Sequence, residues 1–186
     1  QLTVSFSNDV FAYQWIGNTE AWSTGTAWAP DGPPRTGFDV LFNGNNGTVS
    51  LDMDPTVRDW IVRGPDAFIW TGGVVTLNGT LDVARTTMGA NDLYSQITGP
   101  GRVVVTSGRL DMINGANDYS GGTIIGTGAR IHVHGSGALG SGSVNVSGIL
   151  YTNNDNTLAG PLPTGTDFAG INIQQNGKLW LNSVET

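Results

Sequence analysis

Short stretches of alternating apolar and polar residues run along most of the chain, and a glycine precedes nearly every one. The recurring pattern is glycine, any residue, an apolar residue, any residue and a second apolar residue. Its copies are Gly47–Leu51, Gly73–Leu77, Gly79–Val83, Gly101–Val105, Gly108–Met112, Gly142–Val146 and Gly177–Leu181, with a slipped copy at Gly128–Val133. A period of two places the apolar side chains on one side of a β-strand. Helical periodicity is not sustained over three turns anywhere, so the pattern predicts an all-β protein.

The copies return at intervals of about 20–30 residues, which is the period of a solenoid whose coils carry more than one strand. We therefore predict a right-handed parallel β-helix. The glycines would supply the positive φ angles or the close backbone approach needed where the chain turns. An antiparallel sandwich or barrel is the alternative fold, and Asn78-Gly79 would suit a two-residue hairpin turn in it.

The N-terminal part differs from the rest, because it is rich in aromatic residues and is interrupted by proline. The aromatic residues in and just after this part are Phe6, Phe11, Tyr13, Trp15, Trp22, Trp28, Phe38, Phe42 and Trp60. The end of a solenoid needs a cover, since an open coil exposes its core and unpaired strand edges. We predict a cap or first coil over residues 1–46 and β-helix coils over residues 47–186, within one continuous domain. An exposed aromatic patch that binds sugars is the alternative.

Composition narrows the classes of partner. The chain has 186 residues, a net charge of −7 and no cysteine. Lys178 is its one lysine, and no basic stripe is present, which disfavours nucleic acids and anionic membrane surfaces. No apolar run reaches the roughly 18 residues of a membrane-spanning helix, so direct membrane insertion is not expected. The absence of cysteine suits export through an oxidising periplasm. No signal peptide is visible, and the open ends favour a fragment of a longer protein.

Two stretches carry a resemblance to a known family. The first comprises Trp15-Ile-Gly17, Trp22-Ser23, Trp28-Ala-Pro30 and Asp39-Val-Leu-Phe42. The second begins with Asn-Asp-Tyr-Ser-Gly-Gly-Thr at 117–123 and continues to Ala-Leu-Gly-Ser-Gly at 138–142 and Val-Asn-Val at 144–146. Together they resemble the passenger domains of bacterial autotransporters, and the run over about 114–146 is similar to the passenger-associated transport repeat. One departure is Ala27, where the family commonly has Asn before the third tryptophan.

The resemblance, extended loosely over residues 13–182, implies a right-handed β-helix that is exported through the periplasm and displayed on the bacterial cell surface. It also implies that a C-terminal outer-membrane β-barrel of the same polypeptide, outside this sequence, secretes the passenger. The usual family roles are adhesion to a host receptor or glycan, self-association, and presentation of a separate catalytic domain. The family shares no single binding site, so the ligand-binding residues of this chain are unknown.

Several residue groups could carry chemistry, and each has a structural interpretation that we favour. Gly135-Ser-Gly-Ala-Leu-Gly140 matches a dinucleotide fingerprint, yet it leads into a strand instead of the helix that such a site requires, which indicates a turn. His132 and His134 point to one side of a strand and could share a metal ion with Asp111 or Asp118 from a neighbouring coil. We interpret the histidines as part of a solvated polar face.

The acidic residues raise the possibility of glycoside cleavage. Asp52, Asp54 and Asp59 form a small group in the sequence, and Asp52, Asp82 and Asp111 occupy equivalent outward positions after an apolar residue. Stacked carboxylates on one face are therefore conceivable, because a glycosidase uses two carboxyls at close distance. No Asp-Asp pair, Gly-His-Gly or Arg-Ile-Lys cluster typical of pectinases is present.

Three further features carry no site in this interpretation. The oxygen-rich run of residues 153–156, Asn-Asn-Asp-Asn, is expected to be a polar turn instead of a calcium site. Ser120 has no histidine nearby in sequence and fits the turn of the repeat. An Arg-Gly-Asp motif is absent, because Pro65 stands between Gly64 and Asp66.

We predict a non-enzymatic structural stalk and adhesin-like module, without catalytic, cofactor-binding or metal-binding residues. Host surface, glycan or a second copy of the chain are the expected contacts. The alternatives are a β-helix enzyme that degrades polysaccharides through Asp52 or Asp111, and a phage or fibre component that trimerises.

Overall fold

A computed structural model describes residues 13–44, 46–135, 137–152, 171–175 and 177–181. These ranges hold eighteen β-strands and one short 3-10 helix at Gly25–Ala27. The prediction of an all-β parallel solenoid is confirmed, because nearly all strand pairs are parallel and join one coil to the next. Within the described ranges no helix is long and apolar enough to cross a membrane.

The strands form two long parallel sheets and a shorter third row. The first sheet contains β1 (Tyr13–Trp15), β4 (Phe38–Asn43), β6 (Thr56–Gly64), β9 (Thr80–Arg85), the first half of β12 (Arg102–Met112), β13 (Thr123–Ile125), β15 (Val144–Val146) and β17 (Ile171–Ile173). The second sheet contains β2 (Glu20–Ala21), β5 (Gly47–Leu51), β7 (Phe68–Gly72), β10 (Ala90–Leu93), the second half of β12, β14 (Ala129–Val133), β16 (Ile149–Thr152) and β18 (Lys178–Leu181). The third row is formed by β8 (Val74–Leu77), β11 (Gln96–Thr98) and the start of β6. One antiparallel pair joins β1 to β3 (Trp28–Ala29).

The register between coils repeats with a nearly constant length of chain. In the first sheet Trp60 pairs with Leu81, Leu81 with Val103, and Val103 with Thr123, so successive partners are 20 to 22 residues apart. This step places one inward apolar position directly above another in each coil. Strands such as β9 and β15 accordingly alternate between buried and half-buried residues, as the glycine-led pattern predicts.

Gly108 shows how a glycine redirects the chain within one strand. Strand β12 pairs with β9 and β13 before this residue and with β10 and β14 after it, so it passes from the first sheet to the second. Gly108 has a φ of 81°, a conformation that residues with a Cβ atom rarely adopt. A Cβ atom there would lie 2.8 Å from Cβ of Arg85 in the preceding coil, so the corner also requires the small residue.

The aromatic residues of the N-terminal part fill the inside of the first described coils. Phe42 is their centre, because its ring lies 5.2–6.5 Å from the rings of Trp15, Trp22, Trp28, Trp60, Phe68 and Trp70. All seven side chains are buried. Most of these pairs are edge-to-face or tilted, which is the arrangement that aromatic quadrupoles favour.

The alternative of an exposed, sugar-binding aromatic patch is therefore wrong for Trp15, Trp22, Trp28 and Trp60, since burial of large rings outweighs any gain from leaving them in water. Phe6 and Phe11 lie outside the described residues. Strands on either side of residue 46 pair with each other, as β4 does with β6. A boundary between cap and coils at residues 46 and 47 stays a prediction.

Replacing Phe42 by Ala should remove the ring that most of the aromatic cluster contacts. We expect the free energy of unfolding to fall by about 3–5 kcal/mol, as for other buried Phe-to-Ala changes. Urea denaturation followed by far-ultraviolet circular dichroism measures this loss. Met88→Ala is the matched control, because Met88 is 51% exposed and its truncation should leave the midpoint nearly unchanged. Equal midpoints for the two variants would contradict the central position of Phe42.

Candidate functional site

The motif that resembles the passenger repeat is used to build the solenoid. Asn117 is buried, its Oδ1 accepts a hydrogen bond from the Ile97 amide at 2.7 Å, and its Nδ2 donates to the Ala138 carbonyl at 2.8 Å. One side chain thus joins the coils before and after its own. Tyr119 is buried with its hydroxyl 2.6 Å from the Thr123 hydroxyl, and burial raises its pKa. These contacts give the motif a structural role.

Two other sequence candidates are turns, as predicted. The glycine-rich run at 135–140 connects β14 to the strand β15, and Gly137 and Gly140 have φ angles of 80° and 66°. A Cβ atom on Gly140 would lie 2.3 Å from the Tyr119 carbonyl oxygen, so this glycine permits close packing of coils. Ser120 is exposed and its amide donates to the Gly99 carbonyl. The run at 153–156 lies outside the described residues.

The small acidic group near residue 55 is divided among three turns. Asp54 accepts a hydrogen bond from the Val74 amide at 2.8 Å, and Asp59 accepts one from the Thr80 amide at 2.7 Å. Asp52 accepts from both the hydroxyl and the amide of Ser23, and the hydroxyl contact holds its pKa below the ordinary value. Each carboxylate therefore satisfies backbone or side-chain donors of an adjacent coil.

The prediction that Asp52, Asp82 and Asp111 could stack on one face is wrong. Asp82 lies in the first sheet between Ile61 and Val104, whereas Asp111 lies in the second sheet. Asp52 follows the end of β5. The physical reason is the length of the coil, because residues about thirty positions apart do not return to the same column when the step is 20 to 22 residues.

A different column of polar side chains does form on the outer surface of the second sheet. In register, Asp92 is followed by Asp111, then by His132, and then by Tyr151. Steps of 19 to 21 residues separate these positions, so a scan at the coil period would have found them. Asp92 was missed in the sequence because its strand lacks the glycine-led pattern.

Asp111 is the centre of this column and is covered by its neighbours. Its side chain points away from the core, yet the residue is only 4% exposed. Arg109 donates to both carboxylate oxygens, with Nε 2.6 Å from Oδ1. Nδ1 of His132 lies 3.9 Å from Oδ1, and Nε2 of His134 lies 3.7 Å from Oδ2. The carboxylate is thus enclosed by three nitrogen-bearing side chains.

The interpretation of His132 and His134 as a solvated face needs correction. They do face away from the core, but their side chains are 17% and 23% exposed because they pack around Asp111. Within the described part of the chain, no group of three or more histidine and acidic side chains is arranged to hold a metal ion. That the protein binds no metal stays a prediction.

Burial and charge change the protonation of this column. Burial, assisted by the negative charge of Asp111, raises the pKa of Asp92. Burial lowers the pKa of His132, and the attraction of Asp111 opposes that change. The hydrogen bonds to Asp111 raise the pKa of Arg109. A glycosidase needs one carboxyl with a raised pKa, which Asp92 provides, but the second carboxyl, Asp111, is held by Arg109 and is inaccessible to a substrate.

A groove of about 290 Å³ lies on the same sheet beyond Asp111. Its walls are Arg130, His132, Ile149, Tyr151 and Lys178. Arg130, Ile149 and Lys178 occupy one column of the register, and His132 and Tyr151 occupy the next. The rings of His132 and Tyr151 are 4.7 Å apart and inclined by 37°. We call these five residues the groove.

The fold and its outer surface define a parallel β-solenoid with an interaction surface on its second sheet. No protein-family model matches the chain, and no solved structure matches it. The chain is similar to a curated protein, the adhesin BmaC autotransporter of Brucella suis biovar 1 (strain 1330), with 29% identity over 142 residues. The aligned part is 70% of this chain but 4% of that adhesin. This distant and partial similarity fits an autotransporter passenger, and membership of the specific repeat family stays a prediction.

Asp92→Asn should stabilise the protein at neutral pH. The raised pKa means that Asp92 contributes stability below its unfolded value, 3.8, and that this contribution is lost as pH rises through the folded value. Removing the charge therefore raises the free energy of unfolding at pH 7 and gives little or no gain at pH 3. Urea denaturation at both pH values measures the difference.

Asp118→Asn is the control for this experiment, because the Asp118 side chain is exposed. It should leave the free energy of unfolding unchanged at pH 7. A loss of stability in Asp92→Asn at pH 7 would contradict the unfavourable charge at this position.

Proposed function

We propose that this chain is a surface-displayed segment of a bacterial autotransporter passenger, and that it acts as a non-enzymatic stalk and adhesin-like contact module. The observation that carries the proposal is the 142-residue similarity to an autotransporter adhesin in a chain that folds as a parallel solenoid. In this proposal the same polypeptide continues to an outer-membrane β-barrel that exports it. Host receptor, glycan or a second copy of the chain are the contacts.

The division of labour between the inside and the outside of the coils supports a stalk. Inward positions are closely packed apolar residues, and Asn91 and Asn117 join neighbouring coils by side-chain hydrogen bonds. Such a core resists bending because every coil is held by its neighbours. Outward positions are free to vary without loss of the core, which suits recognition by side chains on a rigid support.

The acidic residues support a non-enzymatic role. Asp52, Asp54 and Asp59 are engaged in turns, and Asp82 forms an ion pair with Arg63. Asp111 is enclosed by Arg109 and the two histidines. These carboxylates stabilise the solenoid where a hydrolase would need them to face a substrate.

Surface display and adhesion are tested in the bacterium that produces the full-length protein. Antibodies raised against this chain should label intact cells, and external protease should remove the label while a periplasmic marker remains. An in-frame deletion of the segment should reduce adherence to host cells or to other bacteria, with display of the remaining passenger checked by an epitope tag.

Labelling that appears only after the cells are permeabilised would overturn the proposed location. Unchanged adherence to host cells and to sister cells, with the tagged passenger still displayed, would overturn the adhesin-like role. Release of reducing sugar from a glycan panel by the purified chain would overturn the non-enzymatic role.

A further inference from the structure

The groove concentrates positive charge on a protein that is otherwise acidic. The chain carries eight Lys and Arg residues against fifteen acidic residues. Arg58, Arg63 and Arg109 form ion pairs with Asp39, Asp82 and Asp111. The exposed side chains of Arg130 and Lys178 have no ion pair or hydrogen bond among the described residues, and both line the groove. Their charges are therefore available to a ligand.

The register sets the spacing of the two cations. Arg130 pairs with Ile149, and Ile149 pairs with Lys178, so the cations are two strands apart with an apolar residue between them. Adjacent strands are about 4.8 Å apart, which separates the two backbone positions by about 10 Å. A small inorganic anion cannot contact both side chains at their bases, whereas an extended molecule with spaced negative charges can.

The second wall of the groove is flat and partly apolar. His132 and Tyr151 lie in the adjacent column with their rings in contact, and Ile149 contributes an aliphatic surface. Aromatic side chains with a polar edge combine an apolar face with hydrogen-bonding groups. A sugar ring has the same combination, because it presents C–H groups on its faces and hydroxyls around its rim.

We propose that the groove binds an acidic oligosaccharide, with Arg130 and Lys178 receiving carboxylates of sugars two columns apart and Tyr151 contacting a sugar face. The inference rests on the proposed function, because a displayed stalk is what presents this groove to extracellular glycans. Nucleic acid is the wrong ligand, since its dense charge would meet two cations on a protein of net charge −7. A neutral glycan would leave both cations unused.

Binding is tested by calorimetric titration of the purified chain with a tetramer of galacturonic acid. We expect saturable binding that weakens as ionic strength rises, because charge screening reduces the attraction. The fully methyl-esterified tetramer has the same sugar rings without the charges, and it should bind at least about tenfold more weakly, as expected from loss of charge-assisted hydrogen bonds. A sulfated heparin tetrasaccharide should also bind more weakly than the galacturonate.

Variants separate the groove from the general charge of the protein. Arg130→Gln combined with Lys178→Gln should weaken galacturonate binding by about tenfold or more. The matched control combines Arg35→Gln with Arg102→Gln, which removes the same charge from exposed residues outside the groove and should leave binding unchanged. Tyr151→Leu should weaken binding while keeping its dependence on salt. Circular dichroism checks that each variant keeps its β-structure.

Absence of galacturonate binding, equal binding of the ester, or equal losses in the two double variants would overturn the inference. Tighter binding of the sulfated tetrasaccharide would overturn the assignment to carboxylates. If the groove variants bind no galacturonate and the bacteria adhere as before, the groove is a glycan site that adherence does not need. If the deletion abolishes adherence and the purified chain binds no acidic sugar, the proposed function stands and the groove assignment fails.

Discussion

The constraint on which the whole structure depends is that each coil must return to the register of the coil before it. Backbone amides of one coil find their acceptors in the next, as when the Gly126 amide donates to the Val105 carbonyl at 2.8 Å. A buried backbone group without such a partner is costly, so the chain length between successive partners is held near a constant value. The glycine corners and the coil-bridging side chain of Asn117 meet this requirement where regular strand pairing stops.

The same constraint creates the outer surface on which function depends. Residues about one coil apart in sequence become neighbours across a strand pair, so Asp92, Asp111, His132 and Tyr151 form one continuous column. Inside the coils this stacking produces the aromatic cluster around Phe42. Outside, it brings charges together whose protonation then depends on their neighbours. A solenoid can thus change its exterior coil by coil while its interior stays the same.

The sequence predicted the fold well because its strand pattern is local. Alternation after glycine identifies β9 or β15 without knowledge of any other strand. The aromatic region was correctly placed at the N-terminal end, and its burial follows from the size of the rings. The outer surface was predicted less well, since it depends on which of two sheets each strand joins.

Asp82 and Asp111 illustrate this limit. Both follow a buried leucine in a glycine-led strand, and yet one lies in the first sheet and the other in the second. Local pattern cannot distinguish the sheets, because strands of both have the same alternation. The distinction lies in the register between coils, and the groove was missed for the same reason, as its two cations belong to strands whose partnership is set by connections of unequal length.

Distances between spin labels on successive coils test the central claim of a parallel stack most directly. The chain contains no cysteine, so introduced pairs are unique. Leu41 and Ile124 are connected through Ile61, Asp82 and Val104, and Asn145 is the next partner after Ile124.

With Leu41→Cys as the common site, a label at Ile124→Cys should lie about 19 Å away and one at Asn145→Cys about 24 Å away, after allowance for the linkers. An increase of one strand spacing between the two pairs is the result that the stacked coils predict. Equal distances, or a shorter distance to position 145, would contradict them.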